Sequence, residues 1–333
     1  MRKVSTAVLS AALFLLLPVT AMSQQVQTMD EIQLGGGTAS SLSSMSSAET
    51  MLDGTGGETT TSPASATGPE AVAFDGTYVW IATQFDNRLT RIRVSDRSVA
   101  GTFSVGKRPV ALLYAGSHIW VANLLSNNVM KINPATGAIV GTFAAGDGPG
   151  GLAYDGTNIW VANRTSNNVM KLRAKDGARL GTYAVGKRPI SLVADGSSIW
   201  VTNNFSNSVT RLNSSGAVLG TYTVGRGPFG IAFDGQNIWV TNYFGKSLTR
   251  LRAVDGFQMG TVTVGDGAAG IIFDGANLWV VNNGDNTLMK VSASGTVLAT
   301  YSTGRGPFAV AFDGMRVWVP NFASNSVSTT PAG

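Results

Sequence analysis

The stretch "GPFGIAFDGQNIWVTN" (residues 227–242) returns almost unchanged along the chain and decides its fold. Near-copies stand at 148–163, "GPGGLAYDGTNIWVAN", and at 306–321, "GPFAVAFDGMRVWVPN". The chain has seven tryptophans, all in copies of this phrase and 39 or 40 residues apart: Trp80, Trp120, Trp160, Trp200, Trp239, Trp279 and Trp318. A period near 40 residues is typical of small structural units that stack or close into a ring.

Each unit reads as four short strands. In the fifth unit, "FGIAF" (229–233) is followed by an Asp-Gly hairpin turn and "IWVTN" (238–242), then "LTRLR" (248–252) and "MGTVTV" (259–264). No helical periodicity lies between them. Seven such units predict an all-β fold, a seven-bladed β-propeller of four-stranded antiparallel blades. A solenoid is the alternative, but it would usually carry distinct capping repeats with a polar outer face.

Residue size within the unit supports a ring. The position two residues after the loop proline, or after Ala268 in the sixth unit, is always small, as expected where inner strands converge on an axis: Ala71, Ala111, Gly151, Ser191, Gly230, Gly270 and Ala309. The tryptophan one strand further out has room, and we interpret it as packing between blades.

The two ends of the repeat do not match. The last unit stops at "NSVSTTPAG" (325–333), after its third strand. We expect residues 57–65 to close the ring as its missing outer strand, where Pro63 is tolerated because an outer strand needs few donors. The predicted organisation is a signal peptide over 1–23, a low-complexity acidic Ser/Thr/Gly linker over 24–56 that we expect to be disordered, and the propeller over 57–333.

The N-terminus predicts export. Arg2 and Lys3 precede an apolar run from Ala7 to Val19, and Ala21-Met22-Ser23 fits a cleavage site. We therefore expect a periplasmic or extracellular protein. No later run is long enough to span a membrane, so we expect no membrane span. The chain has no cysteine, which excludes disulfides. We expect a monomer.

The phrases "IWVTN" and "IWVAN", in the pattern W-V-x-N-x-x-S-N-x-V, resemble the YVTN repeat with Trp in place of its Tyr. Over residues 68–333 the chain is similar to YncE-like, YVTN-type seven-bladed propellers. "GPFGIAFDG" also resembles the virginiamycin B lyase-like propellers, which place histidines directly after this proline, with a nearby acid and a metal. Here those positions hold other residues, so the lyase activity is not carried over: Glu70, Val110, Gly150, Ile190, Phe229, Ala269 and Phe308.

Residues suited to catalysis are scarce. The single histidine, His118, lies in a turn position that varies between units, and Glu70 is the only glutamate after residue 67. Most aspartates belong to Asp-Gly turns, where a structural role suffices. We predict no catalytic residue, no cofactor and no metal site, although a calcium site using Asp86 or Asp285 stays open. We interpret the cations of the third strands, such as Arg91 and Lys131, as residues whose aliphatic stems cover apolar surface.

The loops that enter each unit are more informative, because in a propeller they share one end of the ring with the loops between strands two and three. Lys107, Arg108, Lys187, Arg188, Arg226 and Arg305 outnumber Asp147 and Asp266 there. Cations and aromatic residues together predict a recognition surface, with solvated charge alone as an equal alternative. The candidate ligand-binding residues are Lys107, Arg108, Lys187, Arg188, Arg226, Phe229, Tyr243, Phe244, Arg305 and Phe308.

Two functions follow as hypotheses. The first is an exported, non-enzymatic propeller that binds an anionic polymer, a glycan or a protein on this loop face, with nucleic acid as a subsidiary partner. The alternative is a metal-dependent lyase or lactonase-type enzyme with its site at the mouth of the central channel.

Overall fold

The computed structural model describes residues 26–34 and 67–333. Within these ranges the chain is a seven-bladed β-propeller of antiparallel sheets, as predicted. The innermost strands of the blades are β3 (Pro69–Phe74), β7 (Pro109–Ala115), β11 (Pro149–Tyr154), β15 (Pro189–Ala194), β19 (Pro228–Phe233), β23 (Ala268–Phe273) and β27 (Ala311–Phe312). The second strands are β4 (Tyr78–Thr83), β8 (His118–Asn123), β12 (Asn158–Asn163), β16 (Ser198–Asn203), β20 (Asn237–Asn242), β24 (Asn277–Asn282) and β28 (Arg316–Asn321).

The third strands are β5 (Arg88–Arg93), β9 (Asn128–Ile132), β13 (Asn168–Arg173), β17 (Ser208–Asn213), β21 (Ser247–Arg252), β25 (Thr287–Ser292) and β29 (Ser326–Pro331). The outer strands of the first six blades are β6 (Val99–Ser104), β10 (Ile139–Ala144), β14 (Arg179–Ala184), β18 (Val218–Thr223), β22 (Gln258–Thr263) and β26 (Val297–Ser302). A 3-10 turn, Asn204–Ser206, follows β16. No helix in the described ranges is long and apolar enough to cross a membrane.

The last blade takes its outer strand from the N-terminal segment. Strand β2 (Asp30–Gln33) pairs antiparallel with β29, and β1 (Val26–Thr28) pairs parallel with β26 as a fifth strand of the sixth blade. The sequence predicts disorder here, but Leu34 is buried and Ile32 packs on the same apolar cluster, while Asp30 pairs with Arg97 and Arg316. Residues 57–65, expected at this edge, lie outside the described residues, as does the signal peptide over 1–23.

Inner strands approach one another closely. A Cβ on Gly151 would lie 2.2 Å from the carbonyl oxygen of Ile190, and one on Gly230 would lie 2.4 Å from that of Ala269. These contacts explain why the position must be small.

Each tryptophan is fully buried between neighbouring sheets, which confirms the predicted packing role. Trp80, for example, shares an apolar cluster with Ile119 and Ile132 of the next blade. A cation from the third strand lies over the ring and continues outward. Lys131 Nζ is 5.4 Å from the Trp120 ring centroid and donates to the carbonyl of Ala174, at 2.8 Å, in the following blade. The strand-three cations thus join blades, as well as covering apolar surface.

The Asp-Gly turns hold the tryptophans. The Trp200 indole N–H donates to Asp195 at 2.8 Å, and the other Asp carboxylate oxygen accepts the backbone N–H groups of Ser197 and Ser198. Five more blades repeat the indole–carboxylate bond. In the second blade Ala115 stands in place of Asp, and the buried Trp120 indole N–H has no hydrogen-bond partner among the described residues.

These turns predict a stability loss in acid. Burial alone raises the pKa of Asp155, Asp195 and Asp234, but hydrogen bonds from the indole, backbone and neighbouring side chains outweigh it and lower each pKa. Since the unfolded carboxyl titrates near pH ~3.9, the stabilisation is complete above that pH and is lost as the pH falls through the lower folded pKa values. Replacing all three with Asn should lower the melting temperature at pH 7 and flatten its acid decline. An unchanged acid decline in the triple variant would contradict this.

Side chains also link the blades at the loop end of the ring. Asn87, in left-handed conformation (φ 55°) after the second strand of its blade, accepts the backbone N–H of Arg108 in the next blade at 2.8 Å. Asn325 accepts the N–H of Gly68 at 3.0 Å and so joins the last blade to the first. The asparagine in the S-N-x-V part of the repeat therefore acts as a blade-to-blade connector.

Candidate functional site

All the predicted ligand-binding residues lie at one end of the ring. The loop entering each blade is hydrogen-bonded to the loop between that blade's second and third strands, as in the 2.9 Å bond from Tyr243 N–H to the carbonyl of Gly227. The bond from Leu124 N–H to the carbonyl of Arg108 is equivalent, at 2.8 Å. We call this end of the ring the loop face. It surrounds the mouth of the central channel.

Four of the predicted cations are exposed on the loop face: Lys107, Lys187, Arg226 and Arg305. Each is the second residue of an entering loop. A serine hydroxyl accepts the backbone N–H of Lys107, Lys187 and Arg305, whereas the Arg226 carbonyl accepts the N–H of Phe244 at 3.2 Å. The N–H of Lys107 donates to Ser126 at 2.7 Å, and that of Arg305 to Ser324 at 3.0 Å. The side chains therefore project from rigid loops.

The acids at the equivalent positions contribute less opposing charge than their number suggests. Asp266 already forms an ion pair with Lys246, at 3.0 Å. Asp147 occupies the same loop position in the third blade. The exposed charge of the loop face is thus predominantly positive.

Arg108 and Arg188 differ from these four. Both adopt the left-handed backbone conformation, with φ of 55° and 51°. The other five blades have glycine with positive φ at this position: Gly68, Gly148, Gly227, Gly267 and Gly306. A side chain in this conformation costs about 1–2 kcal/mol, so these two arginines are strained positions of the kind that gather at functional sites.

Contacts hold both arginine side chains against the protein. Arg108 Nε donates to Gln84 at 2.8 Å. Arg188 is buried, and its guanidinium lies 4.5 Å from the ring centroid of Phe205. The sequence predicts both as binding residues, and the structure places both on the loop face with their side chains held by neighbouring residues.

Aromatic side chains form a continuous belt that runs from the fifth blade through the seventh to the first. Successive ring centroids are 5.2 to 6.2 Å apart along the series Phe244, Tyr243, Phe229, Phe308, Phe322 and Phe85. Phe244 is exposed, whereas Phe229 and Tyr243 are buried. Burial raises the pKa of Tyr243 to about 12, and its hydroxyl donates to Asn283 at 2.9 Å. Phe322 is buried as well, so the belt is an uncharged, packed series of rings that reaches solvent mainly at Phe244.

One residue in the channel was not predicted from the sequence. Arg164 follows β12 and turns inward, where it lines a cavity of about 190 Å³ together with Glu70, Phe229 and Phe308. Two features of the third unit could have indicated it. We call the residue that follows the loop proline of each unit, or the alanine in its place in the sixth unit, its inner-ring position, and Gly150 is the only glycine among the seven. Arg164 is the only arginine that directly follows the asparagine of a W-V-x-N pattern. A Cβ on Gly150 would lie 1.9 Å from Arg164 Nε, so the glycine makes room for the arginine.

Other candidates have structural roles. The asparagines that end the second strands, such as Asn203 and Asn242, are buried and donate to side chains of the third strand. Asp285 accepts the backbone N–H of Asp266 at 2.7 Å. His118 begins β8, at the end of the ring opposite the loop face, with Nδ1 2.8 Å from the carbonyl of Gly116. Among the residues that the structure describes, no group of three or more His, Asp or Glu side chains could hold a metal.

The fold and its loop face define the chain as a seven-bladed propeller with a basic and aromatic mouth, and comparisons with known proteins add structural neighbours. No family model matches the chain, and no curated protein matches it. Among solved structures, virginiamycin B lyase from Staphylococcus aureus is similar, with TM-score 0.69 and 19% identity over 79% of this chain and 95% of the lyase.

Two further structures show the same architecture. Hydrazine synthase of Kuenenia stuttgartiensis matches with TM-score 0.74 and 18% identity, over 83% of this chain and 99% of the other. BamB from Moraxella catarrhalis matches with TM-score 0.59 and 12% identity, over 80% of this chain and 85% of the other. At such identities the likeness establishes the propeller fold, and one fold supports many functions.

Proposed function

We propose that this chain is an exported binding or scaffold protein of the YVTN type, which recognises an anionic polymer, glycan or protein on its loop face. The observation that carries the proposal is the arrangement of four exposed cations, Lys107, Lys187, Arg226 and Arg305, on rigid loops beside the aromatic belt. Such cations attract an anionic partner over several ångströms, and rigid aromatic rings supply contact area with little loss of entropy.

The alternative, a metal-dependent lyase or lactonase-type enzyme, draws on the likeness to virginiamycin B lyase. Glu70 is the one acid in the inner ring of positions where the lyase-like propellers place histidines. Among the described residues no group of three His, Asp or Glu side chains could hold the metal that this enzyme would need, so we favour the binding function. Export rests on the predicted signal peptide over 1–23, and mass spectrometry of the mature N-terminus from the periplasm or medium would test it.

Charge reversal on the loop face tests the binding proposal. The variant Arg226→Glu/Arg305→Glu should lose most of its retention on a heparin column, because two exposed cations become anions at the entrance to the channel. The sequence predicts Arg188 as a third target, but it is buried against Phe205, and its replacement would disturb packing as well as charge.

The matched control is Lys175→Glu/Arg179→Glu. It changes the net charge by the same amount as the loop-face variant. Both residues are exposed and lie beside the turn between β13 and β14, at the end of the ring opposite the loop face. Equal loss of retention in both variants would mean that retention depends on net charge alone, and this would contradict the proposed loop-face site.

A further inference from the structure

Two charged side chains in the central cavity lack the partners that burial demands. Glu70 Oε2 and Arg164 Nε are both buried, and neither has a hydrogen-bond partner among the described residues. The two groups influence each other's pKa, yet these buried atoms are not bonded to one another. A buried polar atom without a partner costs about 1–3 kcal/mol, and more when the group is charged. This part of the cavity is therefore suited to receive a polar group.

Contacts with Gly150 position the Arg164 side chain in the cavity. Its Nη2 donates to the carbonyl of Gly150 at 3.2 Å, while Nε is left without a partner. The absence of a side chain at Gly150 allows the guanidinium to lie there. Since a guanidinium stays protonated in proteins, it presents a permanent positive charge inside the channel.

Glu70 supplies the opposite charge. It is the residue after Pro69 in β3 and lines the same cavity. Burial raises the pKa of Glu70, and the positive charges of Arg164 and Arg108 counter this rise. A cationic group placed beside Glu70 would further favour its ionised form.

Most of the other side chains that line the cavity are apolar. Ile190, Phe229 and Phe308 line it from the fourth, fifth and seventh blades, and Val110 lines it from the second. The volume of about 190 Å³ is below the range of ~300–1,000 Å³ for drug-sized ligands. A ligand must therefore be small and partly apolar, with a donor for Glu70 and an acceptor for Arg164.

We propose that the cavity binds a free apolar α-amino acid as its zwitterion. The ammonium group would contact Glu70, the carboxylate would contact Arg164, and the side chain would pack against Phe229 and Phe308. This site lies inside the channel and is separate from the exposed cations of the proposed loop-face function.

Calorimetric titration with L-phenylalanine and two analogues tests the charge recognition on the unmodified protein. L-Phenylalanine should bind at least about tenfold more tightly than 3-phenylpropanoate, which lacks the ammonium group, and than phenethylamine, which lacks the carboxylate. Equal binding of 3-phenylpropanoate would show a simple anion site and overturn the proposal. Failure of all three to bind, with L-leucine also inert, would overturn it as well.

Two variants assign the roles. Glu70→Gln should remove the preference for L-phenylalanine over 3-phenylpropanoate, whereas Arg164→Gln should weaken both carboxylate ligands and spare phenethylamine. Unchanged affinities in both folded variants would exclude this pair as the binding groups. Heparin retention should stay the same in Glu70→Gln, and L-phenylalanine binding should stay the same in Arg226→Glu/Arg305→Glu, so the two proposals can fail independently.

Discussion

Replacing Trp200 with alanine is expected to lower the free energy of unfolding by about 3–5 kcal/mol. The side chain is fully buried, and its ring lies 5.5 Å, centroid to centroid, from that of Tyr222. The Arg211 guanidinium lies over the Trp200 ring, 5.1 Å from its centroid, and Asp195 accepts the indole N–H. Truncation therefore leaves a cavity between two blades and removes the partner of a carboxylate.

Denaturant unfolding measures the effect. Met315→Ala is a suitable control, because Met315 is 72% exposed in a turn, and its loss should change stability by less than about 0.5 kcal/mol. If Trp200→Ala unfolds at the same denaturant concentration as the Met315 variant, the tryptophans do not hold the blades together.

Removal of strand β2 is the second large effect that we expect. A chain that begins at residue 57 should be less stable than one that begins at residue 24 by about 3 kcal/mol, since it loses the burial of Leu34 and Ile32 and four cross-strand pairs. It also exposes the edge of β29, so we expect it to aggregate on heating.

This comparison distinguishes the two segments that could close the ring. If residues 57–65 supplied the outer strand, the chain beginning at 57 would keep full stability, and the loss would appear only in a chain beginning at 68. Leu34→Asp in the full chain should reproduce the loss, whereas Gln33→Asp, at an exposed position of β2, should not. Equal melting of these two variants would contradict the role of β2.

The repeating part of the fold could be predicted from sequence because each unit carries its own signals. In the fifth blade the predicted strands differ from β19, β20, β21 and β22 by one residue at most at either end. Asp234-Gly235 fixes the first hairpin, and Trp239 marks the buried strand. These are local signals: the tryptophan recurs in every blade, and the Asp-Gly turn recurs in all but the second.

Pairing that depends on distant parts of the chain was harder to predict. Strand β2 is the four-residue sequence DEIQ, which pairs with residues 326–329 almost 300 positions later. It lies in a stretch that lacks the turn and tryptophan signals, and its one apolar side chain gains burial only once β29 exists. A short strand of this kind is specified by its partner more than by its own sequence.

The candidate site shows the same difference between residues with a local sequence signal and residues placed by distant parts of the chain. Exposed loop cations such as Arg226 could be placed on the loop face from the repeat alone. Arg164 could not be placed in the channel, because its position depends on Gly150, in another strand of its blade, leaving space for it. The charged pair with Glu70 combines the first and third blades, and no local pattern encodes it.

Hydrogen–deuterium exchange with and without a heparin oligosaccharide tests the central claim, that the loop face is the binding surface, most directly. We predict slower exchange in the entering loops at 106–109, 186–189, 225–228 and 304–307, with no change in the turns at 95–98, 175–178 and 214–216 at the opposite end. Protection confined to those opposite turns, or spread evenly over both ends of the ring, would contradict it.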